Sequence, residues 1–478
     1  MPPKQGFASS PQGATMPPKH HDALDRRIFL SILDLDSRPR PHRSDLKDAS
    51  VKGLFAPFAV LVFAGSALAS PFVLEELVRE GDVLPGLDKP VFTIGVPSIN
   101  SSGEWAIPVS SPSPSQPIFQ SGVLGNNGFR ITPGFDPDGS ASAVRTRYDS
   151  ASIRDDGVMA VVANRLVTFG PSELWLEEQQ AATSPGAPFK RVSALDDGTL
   201  IGSISTGVGG FNVLATPNGQ GGWDSGLVHG FGTEIPVGSV LLAPTSGFGY
   251  ARNESGRQAW LGRIDPNGGR GEPEWMVAVD DQIIAANGQP SQIPDYMFRP
   301  SGGTIAMQSD GDVFFASALE WNGDGPGSLQ NGIFSEDGNP VLTSLDHIQD
   351  LNELGGWQVT GDGFHVDEAS NFLWIARAIT GPGPDDPFGV TRSALMFNDQ
   401  VIAQTGDVLA DGSIVLSPTG IMEMSPDGNW VIAELVVRDH LLGDFDAIYR
   451  IAVPTPGVLA LGVVAGFGSM RRRRQLAG

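Results

Sequence analysis

Four histidines lie beyond residue 70: His229, His347, His365 and His440. None stands within four residues of another, so no helix or strand can present two of them as paired ligands. The chain has no cysteine, which removes thiolate nucleophiles and thiolate metal sites. Nucleophilic chemistry is then limited to Ser–His pairs or carboxylates, and no G-x-S-x-G, P-loop or H-E-x-x-H pattern is present. Carboxylates are abundant, with 54 Asp and Glu, so a glycosidase-like pair is the chemistry the composition allows most readily. Oxygen-rich glycine turns at 136–139 (DPDG), 322–327 (NGDGPG) and 360–368 (TGDGFHVDE) are candidate Ca²⁺ loops, none with the twelve-residue EF-hand spacing. They read first as solvated hairpin turns. No residue is assigned a catalytic, cofactor-binding or metal-binding role on this basis, and Ca²⁺ is the one cofactor alternative.

Charge narrows the partners. The 478 residues carry a formal net charge of −23, and residues 53–470 alone hold 18 Lys/Arg against 48 Asp/Glu. Such a surface repels phosphate backbones, which argues against nucleic acid as a partner. Glycine (61) and proline (38) interrupt nearly every apolar run between residues 70 and 453. That leaves little room for long helices and favours short strands.

Those strands repeat. "MSPDGNWVIAEL" (424–435) reads as a polar turn, a glycine, and then alternating apolar residues, as in a hairpin entering a half-buried strand. The same shape recurs at 98–109, 152–163, 193–204, 251–262, 306–317 and 365–376. The pivot residues are Gly103, Gly157, Gly198, Gly256, Gly311, Ser370 and Gly428, spaced 54, 41, 58, 55, 59 and 58 residues apart. A strand-only period of this length predicts an all-β propeller over residues 70–453, with seven blades, six and eight being the alternatives. Trp105, Trp374 and Trp430 follow pivots on the strand itself and are expected in blade cores rather than as sugar platforms.

The ends of the array complement each other. "SALMFNDQVIAQTGDVL" (393–409) has a first half resembling "FDAIYRIAV" (445–453) and a second half resembling "LVREGDVLPG" (77–86). A last unit completed by the start of the chain predicts ring closure, with Leu77–Val83 pairing with Ala447–Val453. Closure removes exposed sheet edges. "SPDGNW" resembles the turn of periplasmic TolB-type propeller repeats, and the array as a whole resembles secreted bacterial tandem-repeat families of unknown function.

Two segments outside the array look like addresses. Residues 51–69 combine Lys52, the apolar run Leu54–Phe63 and the small-residue site Ala67-Leu68-Ala69, as in a signal peptide cut between Ala69 and Ser70. The apolar run is too short to span a bilayer. The first 50 residues lack hydrophobic periodicity and are expected to be a disordered leader or a mis-assigned start, with translation beginning at Val51. At the other end, Pro454-Thr455-Pro456 and Gly457 precede thirteen mostly apolar residues, Val458 to Met470, and then Arg471, Arg472, Arg473 and Arg474. That order resembles the PEP-CTERM sorting signal, with Thr where the motif has Glu. The resemblance implies export machinery and an exosortase-type enzyme as partners, and transient membrane contact through residues 454–478.

The expected protein is therefore exported to the cell surface, envelope or extracellular matrix, with a structural or binding role and envelope polysaccharide as a candidate ligand. The alternative is an extracellular propeller hydrolase or lyase acting on polysaccharide through carboxylates near the central channel. An acidic ring at one channel mouth would favour the enzyme, and an apolar plug the scaffold.

Overall fold

The computed structural model describes residues 72–454 except 113–118, 141–145, 166–170, 185–186, 207–208, 229–232, 235–239, 245–248, 266–273, 281, 301–303, 324–329, 345, 347–357 and 380–390. Every regular element among the described residues is a β-strand, and the strands form seven antiparallel sheets in chain order. Each sheet is a blade of four strand positions, and in blade four the short strand Thr233–Glu234 adds a fifth by pairing with Val240–Leu241. The innermost strands are Ser98–Ile99, Thr146–Ile153, Phe189–Ala194, Tyr250–Arg252, Ile305–Met307, Gln358–Val366 and Ile414–Met424, in blades one to seven. In blades one, four and five the innermost position is broken into two pieces that pair with the same second strand. Innermost strands pack side by side from blade one to three and from blade four to seven, the seventh returns to the first, and blades three and four meet through Gly209–Pro217 and Val240–Pro244. The seven-bladed β-propeller expected from the repeat is the observed fold.

Closure comes from both ends of the array. The outermost strand of blade seven is Val73–Arg79, which pairs antiparallel with Gly443–Ala452 from Val73 opposite Ala452 to Arg79 opposite Ala447. The partner segment is as the sequence suggested, but the N-terminal strand starts four residues earlier than Leu77. The reason lies in Gly81, whose φ of +91° turns the chain directly after Glu80, so Asp82 and Val83 have already left the sheet. Glu75 stands opposite Arg450 and is ion-paired with it across the seam.

The core is divided among the blade interfaces. Seven clusters of buried apolar side chains each join two neighbouring blades. Strand alternation explains the division: on Phe372–Ile379, Leu373 and Ile375 pack against blade seven while Trp374 and Ala376 pack against blade five. Trp260 and Trp374 are among the largest fully buried side chains.

All seven pivots occupy one conformation. Their φ values are positive, from +60° at Ser370 to +102° at Gly311. In every turn the pivot N–H donates to the carbonyl three residues earlier: Asn100, Arg154, Leu195, Asn253, Gln308, Asp367 or Ser425. This is a tight turn closed by a left-handed residue, which glycine adopts without a Cβ penalty. The turns also bond to one another around the ring. Ser101 reaches Asp155, Arg154 the Asp196 carbonyl, Asn253 the Ser309 carbonyl, Ser309 reaches Glu368, and Arg450 the Gly103 carbonyl.

Candidate functional site in the central channel

Counting back from the seven turns places side chains at matched levels of the channel. Five residues before the pivots stand Ser98, Ser152, Ser193, Ala251, Ala306, His365 and Glu423. Five of these are small, and two consecutive blades break the pattern with a histidine and a glutamate. Seven residues before the pivots the set is Val96, Ser150, Arg191, Gly249, Thr304, Gly363 and Ile421, where Arg191 is the outlier. Four before, Arg252 interrupts an apolar set of Ile99, Ile153, Ala194, Met307, Val366 and Met424. Neither an acidic ring nor an apolar plug describes these levels. Two guanidiniums, one imidazole and one carboxylate do.

Serine sets the default chemistry of this level. Ser98 Oγ accepts the Ile153 N–H at 3.0 Å, and Ser152 Oγ accepts the Ala194 N–H at 3.0 Å, each lacing one inner strand to the next. Glu423 performs the same task between blades seven and one, accepting from the Ile99 N–H and, at 2.7 Å, from Ser98 Oγ. Its carboxylate is half-buried by surface yet enclosed by inner strands. That enclosure pushes its pKa up to about 7, against the opposing pull of Arg191, Ser98 and Ile99. Burial lowers the Arg191 pKa, and Glu423 works against that shift.

His365 is held neutral. Burial first, and the Arg191 charge second, push its pKa down to about 3, although the Met422 carbonyl accepts a hydrogen bond from the ring. Nε2 is buried with no partner within the protein. Arg252 bonds to Tyr250, whose hydroxyl also reaches Gln258 Oε1 at 3.3 Å, while the Arg252 Nε is buried without a partner. Arg191, Arg252 and His365 line one cavity of about 220 Å³ bounded by inner strands of blades three to six. Such an arrangement favours binding over covalent chemistry. It offers fixed cations and one acceptor, and the nearby carboxylate changes charge near neutral pH.

The residues singled out from sequence are distributed otherwise. Among the described residues His365 is the one histidine in the channel; His440 is exposed beside Asp439, and His229 and His347 lie outside the described residues. Trp105 and Trp374 are buried in blade cores. Trp430 is half-buried between Gly103 and the Arg450 guanidinium, which sits 5.0 Å from its ring centre. Of the candidate Ca²⁺ loops, Asp136 is ion-paired with Arg165 at 2.6 Å and Asp138 caps its own turn through Ser140. Residues 324–327 lie outside the described residues. The 360–368 stretch is not a loop: it runs as strand through Val366, and Asp367 then accepts the Ala369 and Asn371 N–H groups of the turn. Among the described residues no group of three or more His, Asp or Glu is placed to hold a metal ion. Ala67, Ala69, Ser70, Thr455, Pro456 and Arg471–Arg474 lie outside the described residues, whereas Pro454 stands two residues after the last strand. Among the described residues no helix is long and apolar enough to cross a membrane.

Arg191, Arg252 and Glu423 were missed because each reads singly as an ordinary surface charge. The signal was present in the repeat: aligned on the pivots, each is a long polar residue in a column that is otherwise small or apolar, apart from His365 beside Glu423.

The sequence matches no protein-family model, and no curated protein is similar to it in sequence. Solved structures similar to the chain include a protein of unknown function from Dyadobacter fermentans DSM 18053. It is 11% identical over 80% of this chain and 99% of that one, with a TM-score of 0.32. The Dos1 propeller is 8% identical over 78% and 95%, with a TM-score of 0.35. A gluconolactonase from Xanthomonas campestris is 11% identical over 79% and 100%, with a TM-score of 0.28. No chemistry is carried from these proteins to this chain, and the propeller assignment rests on the strand pairing itself.

Proposed function

We propose that this chain is an exported β-propeller that binds a ligand through its channel at the cell envelope or in the extracellular matrix. The observation that carries the binding role is the channel cavity, where Arg191, Arg252 and His365 converge from three blades. Export rests on the two address-like segments. The closing strand begins at Val73, three residues after Ser70, so removal of residues 51–69 leaves the ring intact. The last strand ends at Ala452, so a tail from Pro454 can be held in a membrane or cut without touching the sheet. Export machinery and an exosortase-type enzyme are the partners this reading requires.

The test has two parts. Protein recovered from the cell surface should begin at Ser70 and lack Arg471–Arg474 by intact mass. Fragments of envelope polysaccharides should bind the wild type and bind the Arg252→Gln variant less. A surface species beginning near Met1 would overturn export by this route, and binding indifferent to Arg252 would overturn the channel as its site. A second reading, a hydrolase or lyase acting on polysaccharide, is favoured by one feature: burial pushes the Glu423 pKa up to about 7, where general acids and bases work best. Turnover that disappears in Glu423→Gln would establish it.

A further inference from the structure

We infer that the channel cavity takes a small hydroxycarboxylate, of the size of a single sugar acid, with its carboxylate on Arg191 and Arg252 and a hydroxyl on His365. This rests on the reading of the channel as a binding site and names its ligand class. The charge argument comes first. In a chain of net charge −23, two guanidiniums line one cavity, and the described residues that line it include no Asp or Glu. Guanidinium forks match carboxylate geometry, and their attraction is strengthened where water is excluded. The Arg252 Nε–H is buried without a protein acceptor, an expensive vacancy that a carboxylate oxygen fills.

The second observation is independent of charge. His365 has its ring fixed by the Met422 carbonyl, and its Nε2 is a buried acceptor with no donor. A neutral imidazole acceptor asks for an O–H or N–H, which a bare carboxylate lacks and a hydroxy acid supplies. Size is the third. About 220 Å³ is below the ~300–1,000 Å³ of common ligand pockets, so one ring or a short polyol acid fits and a threaded polymer does not. Phe364 and Met307 complete an apolar wall against which a sugar ring can lie.

Isothermal titration of the full chain with D-glucuronate, D-glucose and acetate tests this. Glucuronate should bind at least ~10-fold more tightly than either of the others, since each lacks one half of the recognition. Arg252→Gln and His365→Ala should each weaken glucuronate ~10-fold or more, with unchanged thermal melts showing that the ring is intact. Should His365→Ala fail to fold, His365→Gln, whose side chain is polar but shaped differently, takes its place and should also weaken glucuronate. Glucose binding as tightly as glucuronate would overturn the inference. If glucuronate does not bind but an envelope fragment does, and Arg252→Gln abolishes that binding, the ligand class falls while the channel site stands. Glucuronate binding that ignores both variants would overturn the class and the site together.

Discussion

The turn ring and the channel wall are built from the same seven inner strands, five residues apart, and they behave oppositely. At the turns, seven residues share one left-handed conformation and one hydrogen-bond pattern, and even the single serine complies. At the channel level the backbone still repeats, but the side chains run Ser, Ser, Ser, Ala, Ala, His, Glu. The repeat therefore enforces what closes the ring and leaves open what faces its axis. Candidate chemistry in this molecule lies where a column of the repeat is broken, because there the side chain departs from the local default.

The largest test removes the frame on which this comparison depends. Deleting residues 70–79 takes away the strand paired with Gly443–Ala452, and with it Val78 from the blade seven to blade one core. The ring should open and the exposed edge should aggregate. Size-exclusion chromatography of the truncated chain should show loss of the monomer; a soluble protein with a cooperative melt would mean that closure is dispensable.

A smaller effect should separate turns that look alike. A Cβ on Gly428 would lie 1.8 Å from Asp367 Oδ2 of the neighbouring turn, at a φ of +69°. At Gly256 a Cβ would meet nothing closer than 3.5 Å, the Arg252 side chain. Gly256→Ala should then cost only the left-handed penalty, ~1–2 kcal/mol. Gly428→Ala should cost on the order of 2–4 kcal/mol, because Asp367 must also leave the turn it caps. Equal losses in urea unfolding would show that the turns are uniform in surroundings as well as backbone.

Much of this frame was legible because turns have strict demands. A left-handed position selects glycine, and an apolar alternation after it selects a half-buried strand, so the pivots and blade number could be read from one sequence. The short 41-residue step to Gly198 is a complete four-stranded blade with brief connections, from Thr146–Ile153 to Gln179–Thr183, rather than a missing unit. The site was legible only in part. Glu423 lies in "IMEMSPDG", where it reads as the polar half of a strand alternation. Its importance comes from Ser98, 325 residues away, and no local rule brings those two together.

Titration offers a third test, located at the seam between the last blade and the first. Glu434 is buried on Trp430–Asp439, accepts from Thr419 Oγ1 at 2.7 Å, and shares its surroundings with Asp446 and Glu80. Burial first, and those two carboxylates second, push its pKa up to about 7, against 4.5 in the ordinary case. The folded state thus keeps a proton that the unfolded chain releases. The stability this gives is complete below about 4.5 and declines as pH rises to 7. Glu423 adds the same slope, whereas His365, neutral when folded, adds the opposite one as pH falls below 6.5. Glu434→Gln should raise stability at pH 8 by on the order of 2 kcal/mol and change little at pH 4. Thermal melts at the two pH values that move together would contradict it.

The smallest effect concerns the one pivot that is not glycine. Ser370 holds a φ of +60°, and its hydroxyl accepts from Gln308 Nε2 at 3.2 Å, a bond between the turns of blades five and six. Conformation and hydrogen bond pull in opposite directions. Ser370→Gly removes the left-handed cost of ~1–2 kcal/mol but also removes the bond, worth ~0.5–1.5 kcal/mol, so it should be close to neutral. Ser370→Ala keeps the cost and loses the bond, and should be less stable than the glycine variant by ~1 kcal/mol. Urea midpoints of the two variants measured side by side read the conformational cost directly, since both lack the hydroxyl. If alanine proved as stable as glycine, the left-handed conformation would not be what selects glycine at the pivots, and the uniformity of the turn ring would need another cause than backbone geometry.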